Sequence, residues 1–164
     1  MIMWHYEEPV EIAAFQLLNV LFSVPQVSVR LADIPADHFA MIRFYIDCWR
    51  KNRDVLLDGD FQVYAPLLNY PLVSGRSAEK GIVALYHDQV IDLSAADRSR
   101  RQIDVINAKN SRRIVLDVPE RMGAYQVVIR NSRGVETSRR EVDLKPGLVS
   151  FETPVSGLLS LSRL

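Results

Sequence analysis

A single cysteine, Cys48, excludes any intramolecular disulfide, so folding rests on non-covalent packing alone. Charge of one sign is not in excess: Lys+Arg and Asp+Glu number 20 each, for a formal net charge of +0. A polyanionic partner such as DNA needs a positive surplus to neutralise its phosphates, so no nucleic-acid partner is expected. Neutrality also gives little colloidal protection against self-association. The longest apolar stretch, residues 12–24, is interrupted by Gln16, Asn19 and Ser23 and is too short to span a bilayer, so no membrane partner is expected either. No basic segment followed by a long apolar run is visible near the N-terminus. A cytoplasmic location is the resulting expectation, with any export signal belonging to sequence upstream of Met1. There is no phosphate-binding glycine loop, no GxSxG elbow and no CxxC pair. The histidines His5, His38 and His87 are isolated from one another, with no paired metal-ligand spacing. Neither a metal nor another cofactor is expected.

What is present is a globular composition, 48% hydrophobic and 24% charged over 164 residues. That length makes one ordinary domain, or a small domain with an appendage. It is too short for a complete (β/α)8 barrel, which needs about 200 residues or more.

Two regimes of periodicity divide the chain. Residues 2–4 are apolar and read as the end of a strand. Glu7, Glu8 and Pro9 then mark a helix start, since carboxylates suit its positive end and proline suits its first turn. The predicted helix over 9–22 is apolar around most of its circumference, which marks it as buried. Pro25 stops it. A second helix is predicted over 36–56, opened by Pro35 and Asp37 and striped by Phe39, Ile42, Tyr45, Ile46 and Trp49. From Phe61 onward the pattern becomes short β-branched runs at 82–86, 90–93, 103–106, 114–118, 125–129, 140–144 and 158–161, separated by turn signals such as Arg133-Gly134 and Lys145-Pro146-Gly147. Such spacing predicts an antiparallel β-sandwich. The prediction is an α+β chain with a helical piece over residues 1–70 and a sandwich over 71–164. The proline- and glycine-containing stretch 67–80 separates them, and a chain beginning at Ser77 is expected to fold alone.

Specific residues carry a resemblance. Met3-Trp4-His5, Tyr6-Glu7-Glu8-Pro9-Val10-Glu11, Phe22-Ser23-Val24-Pro25-Gln26-Val27-Ser28-Val29 and the segment from Trp49-Arg50-Lys51-Asn52-Arg53-Asp54 through Asp58-Gly59-Asp60-Phe61 form one block. This block resembles the end of the catalytic barrel in bacterial α-galactosidases of the melibiase type, glycoside hydrolase family 36 and its relatives. The resemblance implies that residues 1–70 are the last strand and helices of a TIM barrel, followed by the family's C-terminal antiparallel β-sandwich. The latter is similar mainly in pattern, including Phe151-Glu152-Thr153-Pro154-Val155-Ser156-Gly157. The parent reaction so implied is retaining hydrolysis of terminal α-galactosides through two aspartates on earlier barrel strands. None of Asp33, Asp37, Asp47, Asp54 or Asp58 matches them, so no catalytic residue is assigned. The chain therefore looks like a glycosidase's C-terminal part, structural and non-catalytic by itself. The alternatives are a carbohydrate-binding or protein-interaction sandwich, or a subunit completing a split barrel.

Candidate residues follow from placement. If residues 2–4 end the last barrel strand, Trp4 and His5 sit at the face where barrel enzymes bind substrate. Trp4 would stack on a sugar and His5 would donate to a hydroxyl, in a complete barrel; otherwise both are packing residues. Glu7, Glu8 and Glu11 do not make a glycosidase clamp, because one helix start points neighbouring carboxylates in different directions. Asp54, Asp58 and Asp60 around Gly59 lack the alternation of a calcium loop and read as a helix-ending turn. Cys48, inside a helical pattern beside Trp49, reads as a buried inert thiol. Arginines at 98, 100, 101, 112, 113, 139 and 140 interleave with acidic residues and read as a solvated mixed-charge face. Tyr64, Tyr70, Tyr86 and Tyr125 are candidates for a sugar-stacking platform, set against the commoner role of half-buried strand residues. The partners expected are carbohydrate through the parent enzyme, and an upstream barrel segment or a second copy, the latter through Phe15, Leu18 and Phe22.

Overall fold

The computed structural model describes residues 2–164. Helix α1 spans Val10–Leu18, with Pro9 at its N-cap position and Glu11 in its first turn. It is shorter than its apolar pattern predicts. Beyond Leu18 the backbone tightens, with Val20 and Leu21 N–H donating to the carbonyls of Leu17 and Leu18. The Ser23 hydroxyl then takes the Val20 carbonyl at 2.9 Å. Helix α2 spans Ala36–Lys51 and α3 spans Arg53–Asp58. The single helix expected over 36–56 breaks at Asn52, whose φ of −110° and ψ of 13° leave the helical region. The Asn52 side chain donates to the Cys48 carbonyl at 3.0 Å and to the Asp104 carboxylate at 3.3 Å. The Cys48 carbonyl thus takes the Asn52 side-chain amide as well as its backbone N–H, at 3.1 Å, and the same amide ties the break to a strand.

The buried stripe of α2 is His38, Met41, Ile42, Tyr45 and Cys48, while Phe39 is exposed. That is a rotation of about one residue from the stripe its apolar periodicity predicts. Trp4 sets it: its indole N–H donates to His38 Nδ1 at 3.0 Å. His38 Nε2 lies 2.9 Å from the Glu8 carbonyl and so carries the ring proton. A buried polar residue with two partners displaces an apolar one from the inward face.

The strands are β1 Asp60–Tyr64, β2 Leu72–Arg76, β3 Lys80–Leu85, β4 Val90–Asp92, β5 Gln102–Asn107, β6 Arg113–Val118, β7 Gly123–Arg130, β8 Glu136–Leu144, β9 Gly147–Glu152 and β10 Leu158–Arg163. They form a seven-stranded sheet, order β1-β2-β3-β5-β10-β7-β8, and a three-stranded sheet, order β4-β6-β9. Most pairs are antiparallel. However, β3 pairs with β5 and β4 with β6 in parallel. From β3 to β6 the chain alternates between the two sheets, so each return lays a strand beside its predecessor in the same direction. Purely antiparallel pairing, as the strand spacing predicts, is corrected to this mixed arrangement.

The protein is α+β in three layers. Val83, Leu85, Ile103, Val105 and Leu159 of the large sheet face Ile114, Leu116 and Phe151 of the small one. The opposite face of the large sheet, with Ile82, Ala84, Ile106 and Leu158, packs on Ala13, Ala14, Leu17, Leu18, Met41 and Tyr45 of the helices. Burial on both faces explains why β3 reads as the unbroken run Ile82-Val83-Ala84-Leu85 rather than an alternation.

Polar ties join the helices to the sheets. The Tyr45 hydroxyl donates to the Ser156 carbonyl, and Ser156 Oγ donates to the Glu11 carbonyl at 2.6 Å. Tyr86 donates to the Leu18 carbonyl at 2.8 Å. Strand β1, drawn from the segment 1–70, pairs along its whole length with β2. A chain beginning at Ser77 would leave out both strands and the helical cover. The expectation that it folds alone is therefore revised.

Candidate functional site

A cleft of about 1190 Å3 opens where α1 ends. Four stretches of chain build it: the turn after α1, the β1–β2 hairpin, the β3–β4 turn and the β5–β6 connection. Its apolar side is aromatic. Phe22 and Phe61 meet edge to face, with ring centroids 5.5 Å apart and planes at 64°. Phe61 is 54% exposed and Tyr70 49% exposed, so both rings remain open to a ligand. Tyr86 is half-buried and anchored through its hydroxyl to Leu18. Burial lifts that phenol to about 12, which keeps it neutral and donating.

The hairpin that presents Phe61 and Tyr70 is conformationally demanding. Ala65, Asn69 and Tyr70 have φ of 43°, 62° and 54°. Left-handed backbone at three non-glycine residues close in sequence is costly, on the order of 1 kcal/mol or more each. The same loop holds Leu67 and Leu68 out in solvent.

The polar side is organised by Lys109, whose side chain is only 4% exposed. Its ammonium donates to the Arg113 carbonyl at 2.6 Å and to the carbonyl and hydroxyl of Ser111, and pairs with Asp88 at 3.0 Å. Ser111 also donates to Asp88. The Ser111 hydrogen bond first, and Lys109 second, hold the Asp88 carboxyl below the usual range. The charges of this corner cancel each other. Around it the side-chain amides of Asn19, Asn69 and Asn110 bond no other protein group among the described residues, and line the cleft.

Among the described residues Asp88 is the single carboxylate lining the cleft. Retaining glycoside hydrolysis requires two carboxyl groups about 5 Å apart, so the cleft lacks that machinery. Among the described residues no three His, Cys, Asp or Glu side chains converge as metal ligands.

The residues singled out by sequence are dispersed. Trp4 is 8% exposed, in the helix–sheet core, while His5 is exposed and stacks on Tyr6 at 4.5 Å. Neither lines the cleft. Of the four tyrosines, Tyr70 and Tyr86 meet there; Tyr64 borders a shallow depression with Val90, and Tyr125 is buried between the sheets. Asp54 lies in α3 and pairs with Lys80 at 3.4 Å, while Asp60 opens β1 and accepts from Gln62 at 3.1 Å. The mixed-charge face is only partly solvated. Asp97 is buried against Arg100 at 2.6 Å, and buried Asp104 takes Gln102 and Asn52 amides. Missed by sequence reasoning were β1, β2 and β9, although in β1 Phe61, Val63 and their polar neighbours alternate at strand period.

Cys48 is buried, and burial first, then the negative charge of Asp104, push its thiol up to about 12 from 9.0. The folded state thus disfavours the thiolate. Its contribution to stability is complete below about pH 9 and disappears as pH rises toward about 12, with Tyr86 acting in the same direction above about pH 10. Thiol titration at about pH 8 should leave native Cys48 unlabelled and label it fully in denaturant. Alkaline unfolding should begin above about pH 9 and be shallower in Cys48→Ala. Fast stoichiometric labelling of the native protein would refute this account of the buried thiol.

The fold and cleft define a three-layer α+β protein with an open aromatic cleft and an internally neutralised polar wall. No protein family, curated protein or solved structure matches the chain. Among the described residues no helix is long and apolar enough to cross a membrane.

Proposed function

We propose that this chain is the C-terminal region of an α-galactosidase-like glycoside hydrolase, acting in carbohydrate metabolism in the cytoplasm as a structural, non-catalytic part. The observation that carries this reading is the block over residues 3–61, whose aromatic, Glu-Glu-Pro and Trp-Arg-Lys-Asn-Arg-Asp elements resemble the end of the melibiase-type barrel. On this reading residues 1–70 contribute the last strand and helices of a TIM barrel, and 71–164 the β-rich domain behind it. The exposed His5 would approach the sugar once the upstream strands are in place, whereas Trp4 is buried and bonded to His38 and would support it from within the core. The partner is then the upstream barrel segment.

The lack of a carboxylate pair supports a non-catalytic role. Glu7, Glu8 and Glu11 lie at the start of α1, outside the cleft, and Asp88 stands alone within it. The purified chain should give no hydrolysis of an aryl α-galactoside above buffer. The coding sequence read in frame upstream of Met1 should specify barrel strands bearing two aspartates, and co-expression with that segment should produce hydrolysis. Turnover by the chain alone, lost in a Glu7→Gln/Glu8→Gln variant, would sink the non-catalytic reading. An upstream sequence without a barrel would sink the family reading. The second reading, a carbohydrate-binding domain, is favoured by one observation, the open faces of Phe61 and Tyr70 in the cleft.

A further inference from the structure

We infer that the cleft between α1 and the β1–β2 hairpin is a non-catalytic binding site for a neutral saccharide. It deepens the second reading above by assigning that reading a place and residues, and it does not require the parent enzyme.

A ligand for this cleft must offer an apolar face to Phe61 and Tyr70, since leaving half-exposed rings in water forgoes their burial. It must also offer donors and acceptors together. The amides of Asn69 and Asn110 each carry both, and neither has a protein partner. An acyl chain would cover the rings but strand those amides, at the cost of leaving polar groups unpaired. A cation finds no unpaired carboxylate here, and an anion finds only the exposed His87 imidazole. Lys109 is buried and spent on Asp88, Ser111 and Arg113, while Asp88 is spent on Lys109 and Ser111. A sugar ring combines a C–H face with a rim of hydroxyls, each both donor and acceptor, and carries no charge. The volume of about 1190 Å3 accommodates more than one such ring.

The geometry also explains the demanding hairpin. Left-handed backbone at Asn69 and Tyr70 places both residues on the cleft, one an amide and the other a ring. Strain of this kind persists where the surrounding structure holds a residue in a particular presentation.

The test titrates the full chain with methyl α-galactoside, methyl α-glucoside, an α-galactosyl disaccharide and a β-linked disaccharide, followed by calorimetry and by ligand-observed NMR. Decanoate and inorganic phosphate are the comparison probes. At least one saccharide should saturate with a dissociation constant in the range of about 0.1–10 mM. Phe61→Ala, Tyr70→Ala and Asn110→Ala should each weaken it by about tenfold, with thermal unfolding within a few degrees of the parent because all three side chains are solvent-exposed. Tyr64→Ala, on the other side of the hairpin, should leave affinity unchanged. The inference fails if no saccharide binds the folded protein up to about 50 mM, if decanoate or phosphate binds in its place, or if the cleft variants bind like the parent. Such failure leaves the barrel reading standing, because co-expression with the upstream segment tests that separately.

Discussion

A chain shortened to begin at Ser77 should lose cooperative folding. It would lack β1 and β2, turning β3 into an unpaired edge. It would also lose α1, α2 and α3, uncovering Ile82, Ala84, Ile106 and Leu158 on one face of the large sheet. Returning each of the larger of these side chains to water costs about 1.5–3 kcal/mol. Together they approach the total stability of an ordinary domain, about 5–15 kcal/mol. The Ser156 carbonyl would be left without Tyr45, and Tyr86 without the Leu18 carbonyl. The expected result is a broad thermal transition, weak near-ultraviolet dichroism and dye binding to exposed apolar surface. A sharp two-state transition with β-type dichroism would show that the two sheets stand without their helical cover.

Replacing Gly75 by valine should cost about 3 kcal/mol, through overpacking against a fixed backbone group. A Cβ at this position would lie 2.8 Å from the Val55 carbonyl oxygen and 3.5 Å from the Phe22 ring. The first contact is with α3 backbone, which cannot turn aside as a side chain would. Relief requires α3 to lift from β2, and the valine methyls would also press on the Phe22 ring that packs against Phe61 in the cleft. Chemical denaturation should therefore show a lowered midpoint. The same variant should show weaker saccharide binding under conditions where it remains folded. Gly75→Ala, carrying the same Cβ without the branched methyls, should lie between the parent and the valine variant. A valine variant as stable as the parent would mean that α3 does not sit on β2 as closely as this geometry requires.

Self-association through Leu18 is closed by the same packing. Leu18 is fully buried, and Phe22 is half-covered with Phe61 against it. The β1–β2 hairpin instead exposes a group of apolar side chains, Phe61, Leu67 and Leu68. The two edges of the large sheet differ accordingly. Strand β8 presents Glu136, Arg139, Arg140, Glu141 and Asp143, charges that oppose edge-to-edge pairing. Strand β1 presents Phe61, Val63 and Tyr64 beside the single charge of Asp60.

Local pattern was legible in residues that answer to local physics. Proline and acidic residues mark the starts of α1 and α2, and β-branched runs bounded by turn residues mark β3 to β8 and β10. Those signals depend on backbone dihedrals, helix-end electrostatics and burial on one or two faces, all of which act within a few residues. The exclusion of disulfides follows from composition alone, and so does the absence of a charge surplus for nucleic acid. Tertiary structure decided the rest. Asn52 breaks a helix because Asp104, far along the chain, accepts its amide. His38 turns inward because Trp4 donates to it. Parallel pairing of β3 with β5 arises from crossing between sheets, which strand spacing does not encode. The cleft is assembled from four separate stretches, so no one of them carries its signature. Contacts between residues distant in sequence are selected by the burial they achieve together, and only the folded chain brings those residues within reach of one another.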